Sequence, residues 1–108
     1  MADKIKLVQG DTLPQVKITV TDETTGLAIS LTGASLVMRF RAVGSTTVLD
    51  TLNGTVLDAA NGVAVFPWNN TSLNVDAGDY EGEVEITFPT GKQTVYDLLK
   101  FKVREDFA

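Results

Sequence analysis

Asp79-Tyr80-Glu81-Gly82-Glu83-Val84-Glu85-Ile86-Thr87-Phe88 is the stretch that decides the fold. Tyr80, Val84, Ile86 and Phe88 alternate with Glu81, Glu83, Glu85 and Thr87. A period of two is what a strand with one buried face imposes on a sequence. The same period recurs on both sides. Leu36, Met38 and Phe40 alternate with Val37, Arg39 and Arg41, and Val16, Ile18 and Val20 with Lys17, Thr19 and Thr21. Downstream, Val95, Leu99, Phe101 and Val103 alternate with Leu98, Lys100, Lys102 and Arg104. Val48, Val56, Val63 and Val65 sit in shorter segments, and helical periodicity is nearly absent.

Turn residues punctuate these runs. Asn53-Gly54 and Asn61-Gly62 are favoured two-residue hairpin turns, because the type I′ turn needs positive φ at both central positions. They predict a tight meander over 46–52, 55–60 and 63–67. Gly26, Gly33, Ala77-Gly78 and Thr90-Gly91 mark further reversals. The single helical turn to be expected spans Asn69 to Asn74, capped by Asn70 or Thr71. Seven to eight short strands in one chain of 108 residues predict a single all-β domain, 1–108, built as an antiparallel β-sandwich. An up-and-down barrel is the rival, which periodicity alone does not separate.

The last two strands, 79–88 and 94–104, are joined by Pro89-Thr90-Gly91-Lys92-Gln93 and read as a hairpin. One carries Glu81, Glu83 and Glu85 outward, and the other Leu98, Lys100, Lys102 and Arg104. Two registers fit: Glu83 opposite Lys100 with Glu81 opposite Lys102, or Glu85, Glu83 and Glu81 opposite Lys100, Lys102 and Arg104. Either gives a ladder of opposite charges, each pair worth roughly 0.2–1 kcal/mol. The glutamate row then reads as a solvated face neutralised by its neighbour rather than an acidic site. Parity points Asp97 inward, toward a strand end, a bulge or a hydrogen bond in the core.

Composition narrows function. The chain has no Cys and no His, which removes disulfides, thiolate chemistry and the commonest general base and metal ligand. A net charge of −5 argues against nucleic acid as a partner. No apolar run is long enough for a membrane helix, and the charged start Met1-Ala2-Asp3-Lys4-Ile5-Lys6 does not read as a signal peptide, so synthesis in the cytoplasm is expected. The N-x-[ST] sequons at Asn53, Asn69 and Asn70 then read as chance. Asp76-Ala77-Gly78-Asp79 lacks the dense acidic loop of a calcium site and reads as a turn. Asp22 and Glu23, like Asp76 and Asp79, are carboxylate pairs that nothing places across a cleft. Serine and threonine have no evident activating base. These readings predict a non-enzyme with no cofactor, no metal, no membrane partner and no small-molecule substrate. Surface candidates are few. Trp68, in Phe66-Pro67-Trp68, caps the core or faces a partner. Tyr96 and Leu98 fall on the outward parity of the last strand and, with Phe107, form either an apolar contact patch or a surface covered by a second sheet.

The order of several segments points further. Gln9-Gly10-Asp11-Thr12-Leu13-Pro14 precedes Val16-Lys17-Ile18-Thr19-Val20; Ile29-Ser30-Leu31-Thr32-Gly33-Ala34 leads into Leu36-Val37-Met38-Arg39-Phe40-Arg41. Asn61-Gly62-Val63-Ala64-Val65-Phe66 and then Ala77-Gly78-Asp79-Tyr80-Glu81-Gly82-Glu83-Val84-Glu85-Ile86-Thr87-Phe88 follow. Over residues 5 to 104 this resembles the N-terminal domain of phage baseplate upper proteins and the small stand-alone Ig-like proteins of tailed phages. The resemblance implies an Ig-like sandwich that attaches parts of a virion through multiple symmetric copies, with other virion proteins and copies of itself as partners. Baseplate upper proteins continue into a stalk and receptor-binding scaffold, whereas this sequence stops at Ala108, so docking is the part of the role it implies. A capsid decoration protein is a close variant. A carbohydrate- or peptide-binding module is the alternative class, and it would need Trp68 and Tyr96 exposed.

Overall fold

The computed structural model describes residues 4–22, 24–95 and 98–107, and within them every regular element is a strand. In chain order these are β1 (Ile5–Val8), β2 (Val16–Thr19), β3 (Ser35–Ala42), β4 (Asp50–Asn53), β5 (Thr55–Asp58), β6 (Val63–Phe66), β7 (Gly78–Phe88), β8 (Gly91–Thr94) and β9 (Leu99–Arg104). They form two sheets. One has the order β1-β9-β7-β3-β4, with β8 also paired to β7; the other has the order β2-β6-β5. Two sheets with separate strand sets make a β-sandwich and exclude a closed barrel.

The alternating residues set the core. Leu36, Met38 and Phe40 of β3, Val84 and Ile86 of β7, and Phe101 and Val103 of β9 turn inward against Val16, Ala64 and Phe66 of the smaller sheet. Phe40 lies at the centre of the aromatic packing. It stacks on Tyr80 with centroids 5.1 Å apart and meets Trp68 and Phe101 edge-on at 5.2 and 5.5 Å.

Four expectations need correction. The chain has nine strands among its described residues, and one pair is parallel: β1 runs beside β9 with Lys6 opposite Lys102. The two Asn-Gly pairs behave differently. Gly62 has φ +69° and closes the β5–β6 hairpin, where a Cβ would come within 2.6 Å of the Val20 carbonyl oxygen. Gly54 makes no hairpin. The chain there leaves β4, in the larger sheet, for β5 in the smaller one, so 46–67 is not a meander. Glycine fits at 54 because a Cβ would press to 2.8 Å from the Phe66 ring and 3.1 Å from Leu36 Cβ. Residues 69–74 form consecutive turns, Asn69 O to Ser72 N and Thr71 O to Asn74 N, and not a helix. The segment 94–104 is two strands. β8 pairs Thr94 with Glu85 and β9 pairs Lys100 with Glu81, so a six-residue step answers a four-residue one. Those two extra residues preserve parity while moving the register. Lys100 therefore faces Glu81 and Lys102 faces Asp79, one pair along from the nearer expected register.

Candidate interaction surface

The outward face of the larger sheet carries most of the chain's conspicuous charge. β7 contributes Asp79, Glu81, Glu83 and Glu85, projected outward by the alternation that buries Tyr80, Val84 and Ile86. Their neighbours on β3 are arginines. Arg41 Nε donates to Glu81 Oε2 at 2.7 Å, and Arg39 Nη1 donates to Glu85 Oε2 at 3.0 Å. Lys92 approaches the same Glu85 oxygen at 4.0 Å. Glu81 is the deepest of these groups, its side chain only 8% exposed. Charge-assisted bonds of this kind are short and stronger than neutral ones, which is how a carboxylate can sit so deep. Glu81 and Glu85 are thus neutralised from the β3 side, where the sequence had pointed to β9, and Glu83 makes no ion pair with a described residue. Parity reveals which face a residue takes but not which neighbouring strand supplies its partner.

The β9 side is different. Lys4 Nζ donates to Asp79 Oδ1 at 2.9 Å, and this bond with the nearby Lys4 charge holds the Asp79 carboxyl below its ordinary value, Lys102 adding a smaller effect. Lys6, Lys100 and Lys102 make no ion pair with any described residue. Arg104 donates to the Glu105 carbonyl and lies 5.2 Å from the centroid of the Phe107 ring.

The four surface candidates separate. Trp68 belongs to the core. It is 6% exposed, meets Phe40 and Phe101 edge-on, and donates its indole N–H to the Pro14 carbonyl at 3.0 Å. The polar end of the ring finds a partner indoors, so nothing draws it to solvent. Leu98 is half-buried beside a shallow depression lined by Arg39, Arg41, Val48, Glu81 and Glu83. Phe107 is 92% exposed. Tyr96 and Asp97 lie outside the described residues. Trp68 therefore drops out as a surface residue, and the contact patch expected of Tyr96, Leu98 and Phe107 reaches beyond the described residues.

Sequence reasoning missed other exposed apolar residues. Val43 and Leu49 are exposed at the end of the larger sheet where β3 finishes and β4 and β7 begin, and Phe107 follows β9 there; Leu13 is exposed in the loop after β1, and Val48 borders the depression on the outer face. Only tertiary pairing brings Val43, Leu49 and Phe107 to one end. A second feature is an open cleft of about 680 Å³ between the sheets, with Ile18, Val20 and Ile29 on one wall and Val95, Leu98 and Leu99 on the other.

Chemistry is sparsely provided. Among the described residues no three acidic, His or Cys groups are placed to hold a metal ion. Asp76 acts through its carbonyl, which accepts from the Tyr80 hydroxyl, and Asp79 is tied to Lys4; instead of the turn expected at 76–79, the chain bends at Ala77 and enters β7 at Gly78. Burial pushes the Tyr80 phenol above its ordinary value, with the Asp76 charge adding to it. No protein-family model matches the chain, and no curated protein matches it.

Proposed function

We propose that this chain is a non-enzymatic virion structural protein of a tailed phage. In this reading it is repeated in multiple copies at the tail, baseplate or head–tail neck, where it docks other virion proteins. The observation that carries the reading is the loop end of the larger sheet. Val43 and Leu49 are exposed on the loop at that end, and Phe107 is exposed just past β9. Large apolar side chains gathered at one end of a small domain mark a contact surface. The segments that resemble the phage Ig-like proteins fit the same reading, because they supply joints of the sandwich. Leu31 is buried, Gly33 turns with φ +73°, Gly62 closes the β5–β6 hairpin, and Tyr80 stacks on Phe40.

Purified virions of the encoding phage, digested and analysed by mass spectrometry, should contain the chain in stoichiometric amounts. Its absence there contradicts the proposal. An electron density map then distinguishes a tail or neck position from the capsid surface of a decoration protein. Of the two aromatics a carbohydrate-binding reading needs, Trp68 is committed to the core, which weighs against that alternative.

A further inference from the structure

Charge is sorted between the surfaces of this chain to an extent that its composition conceals. β1 and β9, with the residue before β1, present Lys4, Lys6, Lys100, Lys102 and Arg104 on the outer face of the larger sheet. β3 and β8 add Arg39, Arg41 and Lys92, whose ion pairs place them on that same face. Eight of the nine cations in the chain are therefore on one face, and the ninth, Lys17, is on β2 of the other sheet. Against them stand the four carboxylates of β7, giving the face a formal +4. Among the other described residues one lysine, Lys17, stands against seven carboxylates, a formal −6.

Where the cations are densest, the carboxylates opposite them are already engaged: Lys100 lies opposite Glu81, which pairs with Arg41, and Lys102 opposite Asp79, which pairs with Lys4. Lys6 and Lys102 are direct partners on adjacent strands, which sets their Cα atoms roughly 5 Å apart. Lys100 and Arg104 flank Lys102 at about 7 Å along β9. Like charges directly opposite in a ladder oppose folding, so this row is better suited to a partner than to the isolated domain.

We propose that this cationic face docks the acidic surface of a second copy of the chain, in a head-to-tail contact. The complement is present in the same molecule. A face of +4 cannot meet its own image without repulsion, so the charges exclude a two-fold contact of this face with itself. A face of +4 against a described remainder of −6 favours a heterologous contact, which closes into a ring or runs on as a filament. Nucleic acid fits less well, because a carboxylate column divides the basic rows and the rest of the molecule repels a polyanion. The inference rests on the reading of the chain as a multi-copy assembly protein and specifies the surface used.

Sedimentation velocity of the full chain over a range of concentrations, at about 0.02 M and about 0.3 M salt, tests it. The expected result is oligomers at low salt that dissociate at high salt. Lys102→Glu should weaken the association by about tenfold or more. Lys17→Glu makes the same change in net charge off the face and should leave it within about twofold. A monomer under all conditions, or equal weakening by both variants, overturns the proposal. So does retardation of duplex DNA by the wild type that Lys102→Glu abolishes. Thermal unfolding of each variant separates loss of association from loss of fold. A monomer recovered from purified virions overturns this inference alone. Salt-sensitive association of a chain absent from virions overturns the functional reading alone.

Discussion

The two faces of the larger sheet use the same alternation to opposite ends. On the inner face Met38, Phe40, Ile86 and Phe101 are fully buried, and Trp68 closes over Phe40 and Phe101 with its one polar atom satisfied. On the outer face Arg39, Arg41, Glu81 and Glu85 satisfy one another, while Lys6, Lys100 and Lys102 face no described carboxylate at ion-pair distance. The difference assigns most stability to the inner face and to the β3–β7 half of the outer face, and the β1–β9 half is the one proposed for contact.

The inner face should break first. Trp68→Ala removes the ring and leaves a cavity beside Phe40 and Phe101, and is expected to cost about 3–5 kcal/mol in urea unfolding. Little loss would return Trp68 to the list of surface residues. Next comes the paired half of the outer face. Glu81→Ala leaves Arg41 without its carboxylate and should cost about 1–2 kcal/mol, moderated because Arg41 stays partly in water. The unpaired half should respond least. Lys6→Ala, Lys102→Ala and Phe107→Ala are each expected to fall within about 0.5 kcal/mol of wild type, and the lysine variants can stabilise by relieving their mutual repulsion.

Acid reports on the ion pair of Lys4 with Asp79 in the β1–β9 half. The Asp79 carboxyl is held below its unfolded value by Lys4, so it binds its proton more weakly in the folded state. Its contribution is present above the unfolded value of about 3.8 and is lost as pH falls through the lower folded value. Unfolding of wild type and Lys4→Ala followed as pH is lowered should show a difference that persists above about pH 4 and shrinks below it. A difference that grows with acid would contradict the assignment.

Much of this was legible in the residues. The alternations of 36–41 and 79–88 located β3 and β7 to within about a residue, because a half-buried strand has no other pattern to adopt. Parity likewise sent the glutamates and lysines to one face. Neighbours were not legible. Nothing local in Glu81 distinguishes Arg41 from Lys102 as a partner, and the two residues added between β8 and β9 shift the register without a local signal. Asn53-Gly54 carries a hairpin dipeptide but is used to change sheets, since the ring of Phe66, remote in sequence, needs the space. Trp68 reads as ambiguous until Pro14, 54 residues earlier, supplies its acceptor. The strand β1 did leave a trace, as Ile5 and Leu7 alternate with Lys4 and Lys6, but a run of four is too short to stand out.

The claim that the β1–β9 rim serves contact and not stability is tested most directly by measuring both properties on one variant. Lys102→Glu, unfolded in urea and sedimented at low salt, should keep its unfolding free energy within about 0.5 kcal/mol of wild type while its self-association weakens by about tenfold. A variant that loses stability and associates as wild type does would contradict the account.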